Sequence, residues 1–468
     1  MGNGKCANAR VRNCAQAPSM NKWLFLFLLP ALLVSDLWGF GGGDGTAGNP
    51  WQITTRAELE AVNNDLTAHY ILMNDIDLGA TNYTQAVIAP WGDGTEMLFT
   101  GVFDGNYKTI RNLTVDGGTT NGTLGLFGSV QYGGIIKQLR LQTCNITGTD
   151  SLGLIAGSMW ERALISDCFA SGTVRGRRGV GGLVGRCEMS SIKRCAAEGH
   201  VWGDDSVGGL VGFHEGHGIK YDTREGLIID CYSACSVTGN DSVGGLIGTD
   251  EQGAVFNCYA CGYVTGNSKS AAFVGDSFMS SVCACFWNKE SSGQMEGAPG
   301  YYGGEGLTSA EMQQRVNFEA AGWHFIDPVK DDGGSWLMPG NGFPVLNRLR
   351  EHMRRVPELM HLDLPGVVSS LRQAGFTIGT TNFVNSLSVM NGNFVGISVT
   401  QGEVYFTNAP PVDVYVSAGS CGDGSALNPY PVACEADLLA VNNDLGAHYI
   451  LVRDICHGSG SVSLLHNR

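Results

Sequence analysis

The sequence predicts an all-β chain built as a parallel β-solenoid, and three observations carry that expectation. A Gly-Leu-x-Gly motif recurs as Leu124-Gly-Leu-Phe-Gly128, Leu152-Gly-Leu-Ile-Ala-Gly157, Val180-Gly-Gly-Leu-Val-Gly185, Val207-Gly-Gly-Leu-Val-Gly212, Val243-Gly-Gly-Leu-Ile-Gly248 and the worn Ala271-Ala-Phe-Val-Gly275. The closing glycines are 29, 28, 27, 36 and 27 residues apart, and a period of this size means stacked supersecondary units. A second motif trails each copy from the second on: Leu164-Ile-Ser-Asp-Cys168, Ser191-Ile-Lys-Arg-Cys195, Leu227-Ile-Ile-Asp-Cys231, Ala254-Val-Phe-Asn-Cys258 and Ser281-Val-Cys-Ala-Cys285. Apolar residues fall at the same phase in every copy, and no run shows a helical period. Stacked in register, they line up as ladders with strands ~4.8 Å apart. Each period is expected to hold about three short strands, with corner glycines supplying positive φ.

Composition bounds the function. The 468 residues include 68 glycines, 16% charged and 43% hydrophobic residues, and carry a net charge of −15. So apolar a chain is not disordered. So acidic a chain lacks the basic face that nucleic acid or anionic lipid requires. The 15 cysteines are an odd count, so a complete disulfide set is excluded, and the ladder cysteines read as small buried hydrophobes. A bridge between Cys235 and Cys261, one repeat apart, stays open. Cys258-Tyr-Ala-Cys261 has the spacing of a zinc hook but lacks a second pair.

With the repeats in view, the chain resembles the GLUG-motif family of bacterial secreted and surface proteins over about residues 41–349. The resemblance implies a right-handed parallel β-helix. It carries no catalytic residues, metal or cofactor.

Taken in order, residues 1–40 read as an N-terminal extension and signal peptide: Lys22 is followed by a short apolar run and then Ser35, Asp36 and glycines. Met20 reads as the true start, and an uncleaved anchor is the alternative. The β-helix is assigned to 41–290, with no membrane span in the mature chain. A helix over 56–64, capped by Thr54 or Thr55, is expected to cover the open end of the solenoid. Residues 70–78 read as the first strand, and further strands and Asp-Gly turns follow over 99–117. Asp104 there is read as a turn residue bonding its own backbone. Asp204, Asp205 and Asp241 sit in the turn before the Gly-Gly-Leu motif in successive rungs; stacked on one edge they would offer a calcium- or sugar-binding strip, and the commoner reading of such a pattern is acidic turn residues on the surface. The long gap holds an insertion containing His214, Glu215, His217 and Asp222. Insertions map to one side of a solenoid, often the binding side, so these four are the first ligand candidates. Their spacing is not that of a helical zinc site.

Residues 291–350 are expected to close the second end, with a helix capped by Thr308 or Ser309 and with Trp323 and Trp336 as cap packing. Residues 354–419 carry Val367-Val-Ser-Ser-Leu-Arg-Gln-Ala-Gly375, Phe376-Thr-Ile-Gly379 and Val412-Asp-Val-Tyr-Val-Ser-Ala-Gly419, which reads as a helix with strands on both sides, a small α+β unit. It resembles a PASTA domain and departs from it at Ile397-Ser-Val-Thr-Gln-Gly402. That likeness implies peptidoglycan contact or a spacer. Residues 420–468 restart the first 41–78 pattern and then stop, as in a truncated second β-helix.

The expected function is non-catalytic: a secreted or surface protein in adhesion, polysaccharide or peptidoglycan binding, or envelope scaffolding. The alternative is a polysaccharide lyase or glycoside hydrolase, which needs converging carboxylates and a base.

Overall fold

The computed structural model describes residues 39–326 with breaks at 80, 93, 120–121, 217–225 and 299–302; it also describes 334–339 and 342–347 and, beyond them, a helix and a set of short strands. The proposed signal peptide lies outside the described residues.

The repeats form a parallel β-helix. One rung runs through four strands, exemplified by Arg178–Gly181, Val184–Glu188, Ser191–Lys193 and Ala196–Trp202. Stacked on their equivalents, these make sheets I to IV, with five, six, nine and twelve strands respectively. Pairing within each is parallel and in register; Val180 aligns with Val207 and Val207 with Val243, for example. The interior is one apolar core of ladders such as Ile136, Ile165, Ile192, Ile228 and Val255, each fully buried.

Two expectations change here. A rung holds four strands, not three, because the Gly-Gly-Leu-Val-Gly segment is itself a corner: Val180-Gly181 belongs to sheet I and Val184-Gly185 to sheet II. The glycines also serve a different purpose. Most repeat-motif glycines have ordinary φ; what they need is the absence of a Cβ. A Cβ on Gly181 would sit 2.0 Å from the Val184 carbonyl oxygen, and one on Gly244 1.9 Å from that of Ile247. Positive φ falls instead on side-chain-bearing residues in three columns: Met189, Gln252 and Met279 between sheets II and III; Asp167, Arg194, Asp230, Asn257 and Ala284 between III and IV; Ser151, Ser206, Ser242 and Lys269 within sheet I. Each such residue costs about 1–2 kcal/mol in isolation. Ladder bonds hold them in place, for instance Asp167 N–H to Lys193 O at 3.0 Å and Arg194 N–H to Ile229 O at 3.0 Å.

The residue after the III–IV corner is the ladder cysteine. Cys168, Cys195, Cys231, Cys258 and Cys285 are buried and free, as are Cys187 and Cys235. Their thiols point at carbonyls of their own and the preceding rung, as in Cys231 Sγ to Ile229 O (3.2 Å) and Ile192 O (3.7 Å). Burial pushes the Cys168, Cys231 and Cys258 thiols well above their ordinary pKa. The Cys235–Cys261 bridge does not form; Cys261 is free as well. The zinc hook is likewise divided, because Cys258 lies in the interior core and Cys261 packs with the aromatic cluster outside sheet IV. Reaction requires thiolate and access. Alkylating the native protein should therefore label exposed Cys283 and spare Cys168, Cys195, Cys231 and Cys258 until denaturant is added; peptide mapping that found the four labelled natively would contradict this packing.

At the N-terminal end, Trp51–Ile53 forms a strand before the helix and pairs with His69–Leu72, so the chain enters sheet III earlier than expected. The helix Arg56–Glu60 continues as a 3-10 turn, Ala61–Asn64. Its cap is Thr55, in a capping box with Glu58, and it buries Leu59 and Val62 against the core. Asp104 accepts from Asn106 N–H at 2.8 Å, a local turn.

At the other end, Thr308 and Glu311 form a second capping box at Ser309–Met312. The aromatic residues that follow lie on the flank of the solenoid, not over its end. Phe318, Trp323, Phe325 and Trp336 pack onto the outward column Phe169, Ala196, Tyr232, Tyr259 and Phe286 of sheet IV. Trp323 and Trp336 stack at 4.3 Å, both buried; Trp336 Nε1 donates to Asp230 Oδ1 at 3.3 Å and Tyr259 Oη donates to Pro344 O at 2.7 Å. The outward aromatic column demands cover as strongly as the open end does. The end itself is closed by the backbone around Gly297, whose carbonyl accepts from Phe273 and Val274, and by Ala298 and Trp287.

Beyond this, helix Leu364–Gln373 accompanies a three-stranded sheet ordered Ile378–Val384, Val412–Ser417, Phe394–Ile397. Val367, Leu371, Phe376, Ile397 and Val414 form its core. Tyr430–Val432 pairs in parallel with Tyr449–Leu451, and Tyr430 opposite Tyr449 repeats the register of Trp51 opposite Tyr70. Residues 433–448 and 452–468 lie outside the described residues.

Candidate functional site

Sheet I brings part of the acidic strip together. Asp205 and Asp241 are register partners on adjacent rungs, with Arg178 on one side and Ser268 on the other. Asp204 is exposed at the corner; its N–H donates to Arg177 O at 2.8 Å and its carbonyl accepts from Asp241 N–H at 2.8 Å. One rung on, Lys269 Nζ is 2.7 Å from Asp276 Oδ2. That carboxylate holds the Lys269 ammonium above its ordinary pKa, and Asp241 and Asp205 add to the shift.

Of the four insertion candidates, the structure describes His214 and Glu215. His217 and Asp222 lie outside the described residues. His214 is not a loop residue: its side chain is 0% exposed and faces the core. It belongs to a column of register partners on sheet II: Val130, Met159, Cys187, His214, Asp250 and Ser277. Its Nδ1 is 2.8 Å from Asp250 Oδ1, and Asp250 is equally buried. His214 Nε2 and Asp250 Oδ2 have no hydrogen-bond partner among the described residues. Asp250 was missed because its neighbours read as a surface Thr-Asp-Glu; repeat phase would have found it, since it stands three residues after Ile247 as His214 stands three after Val211. Glu215 is half-buried and aligns with Glu188 before it and Glu251 after it. Glu188 is ion-paired with Arg186, whose guanidinium also lies over the Phe213 ring at 4.3 Å. Among the described residues, no group of three His, Cys, Asp or Glu side chains is placed to hold a metal ion.

Sequence reasoning overlooked a recess of about 430 Å³ at the corner between sheets II and III, lined by Tyr132, Gly133, Glu161, Arg162 and Met189. Tyr132 is 60% exposed, and Trp160, beside Glu161, is 37% exposed.

Fold and surface together define a β-helical repeat protein with charged and aromatic outer rows. No family model matches the chain. It is similar to halomucin of Haloquadratum walsbyi, 34% identical over 164 residues, which is 32% of this chain and 2% of that protein. A protein of Evansella cellulosilytica described as "Putative Gly-rich membrane protein" is 34% identical over 116 residues, 23% of this chain and 13% of its own length. The chain thus spans a small part of these relatives. Among solved structures, one titled as a putative immunoglobulin A1 protease from Bacteroides ovatus aligns with a TM-score of 0.49 and 17% identity, over 66% of this chain and 95% of that one.

Proposed function

We propose that the chain is a secreted or surface β-helix protein of the GLUG type that binds polysaccharide without turning it over. One observation carries the reading: outer rows such as Glu215 and Glu251, or Asp205 and Asp241, recur at the same position on successive rungs. A surface repeating every ~4.8 Å suits a ligand that is itself a polymer. Similarity to halomucin and to a protein described as a membrane protein supports an envelope or extracellular setting. In the described residues no helix is long and apolar enough to cross a membrane. The PASTA-like unit at 354–419 fits the same setting, as a peptidoglycan contact or a spacer.

A lyase or hydrolase would draw on Asp205 and Asp241. Arg178, the register partner of Asp205, carries a guanidinium that is no base at neutral pH, and Lys269, beside the register partner of Asp241, is held protonated by Asp276. Binding is therefore the stronger reading. Co-sedimentation of the full chain with peptidoglycan sacculi and insoluble polysaccharides tests it: the protein is expected in the pellet with no sugar released. A protein left in the supernatant of every preparation sinks the binding reading. Sugar release abolished by Asp205→Ala or Asp241→Ala would install the enzyme in its place.

A further inference from the structure

We infer that the recess lined by Tyr132, Gly133, Glu161, Arg162 and Met189, with Trp160 on the adjoining edge of sheet II, is a glycan subsite for a neutral polysaccharide. The inference rests on the polysaccharide-binding reading and gives it an address and a ligand class.

The rungs place these residues side by side. Gly133 N–H donates to Glu161 O at 3.1 Å, and Arg162 N–H donates to Met189 O at 2.8 Å, so three successive corners stack along the solenoid axis. The left-handed backbone there does not mark the site, because the whole corner column shares it. What marks it is chemistry. Large aromatic side chains are usually covered in this protein, as Phe99, Phe103, Phe127 and Trp336 are. Tyr132 is left open in the lining of a concave surface, and Trp160 is partly open on the neighbouring rung, one residue before the lining residue Glu161. An aromatic ring offers an apolar face to the C–H face of a pyranose, and a tyrosine hydroxyl or indole N–H adds a donor at the edge. Glu161 supplies acceptors and Arg162 donors for ring hydroxyls, while Met189 gives an adaptable apolar floor. A few polar groups around an apolar base is the usual makeup of a small-ligand site.

Charge selects the class. Glu161 and Arg162 offset each other, as do Arg186 and Glu188 in the next rung. Farther along sheet II come Glu215 and Glu251, and the chain as a whole carries −15. A polyanion laid along this flank meets like charge, which costs specificity rather than adding to it. An uncharged chain meets none. The stacked corners also give it a direction, running along the axis from Tyr132 past Glu161 to Met189.

The test is affinity electrophoresis of the full chain in gels containing a soluble β-glucan or a galactomannan, with polygalacturonate as the acidic polymer. Wild type is expected to be retarded by a neutral polymer and not by polygalacturonate. Tyr132→Ala and Trp160→Ala should each weaken retardation about tenfold, and Tyr263→Ala, at an exposed residue between two strands of sheet IV, should leave it unchanged. Tyr132 is 60% exposed, so its variant should melt with wild type; Trp160 is 37% exposed, so Trp160→Phe, which keeps a stacking face and most of the packing, is its fold control and should retain most of the binding. Retardation of wild type that both alanine variants match moves the subsite elsewhere and leaves the binding reading standing. Retardation by polygalacturonate alone overturns the neutral class. No retardation in any polymer overturns the subsite and the reading together.

Discussion

Gly208→Ala should stop the solenoid from closing at its central rungs. A Cβ there would lie 1.9 Å from the Val211 carbonyl oxygen and 2.6 Å from Gly248 N. Both are backbone atoms of the I–II corner, one in the same rung and one in the next, so no side-chain rotation relieves the contact. The alternative is to break the corner, which exposes the Val207, Leu210 and Val211 ladders, all fully buried. The expected loss exceeds about 4 kcal/mol, in the range reserved for identifiable core failures. It should be read as protease cleavage between sheets I and II and a collapsed thermal transition. Gly48→Ala is the control: a Cβ there meets nothing within 4 Å, and it should shift stability by less than about 0.5 kcal/mol. A Gly208→Ala protein that melted with wild type would mean that the glycine motif is not a steric requirement.

The same glycine shows how far the sequence could be read. Period, parallel stacking and buried thiols followed from repeat phase alone, because in-register stacking forces equivalent residues into one environment. The Thr55–Glu58 and Thr308–Glu311 boxes were legible because capping is local. What depended on the path of the backbone between repeats was not. A corner needing no Cβ and a corner needing positive φ both look like a conserved phase, and only the fold separates Gly208 from Ser206. The flank cover was misplaced for a related reason. Tyr232, Tyr259 and Phe286 each follow a ladder cysteine, and that position faces outward, which becomes visible once Cys231 and Cys258 are known to face in. The candidate site fared worst. His214 looked like a loop ligand because it adjoins an insertion, whereas its phase matches Cys187. Tyr132 and Trp160 carry no motif and become neighbours only through stacking.

Removing either member of the buried His214–Asp250 pair should cost more than almost any other polar substitution. Asp250→Ala leaves the His214 Nδ1, now 2.8 Å from a carboxylate oxygen, buried and without its partner. Each side chain already has one orphan, Nε2 on the histidine and Oδ2 on the aspartate. A newly unpaired buried polar group costs about 1–3 kcal/mol. Contacts in a solenoid run only to neighbouring rungs, so the damage should be local. Amide exchange is expected to rise in Val211–Glu215 and Ile247–Glu251 and to stay low in Trp51–Ile53 at the far end. The column supplies its own rescue. Val130 and Met159 fill the equivalent positions at earlier rungs, so His214→Met combined with Asp250→Val should restore at least wild-type stability while each single change destabilises. That sign reversal separates a polar pair tolerated inside an apolar ladder from one that the fold requires. If the double variant proves less stable than either single, the pair is holding its rungs together.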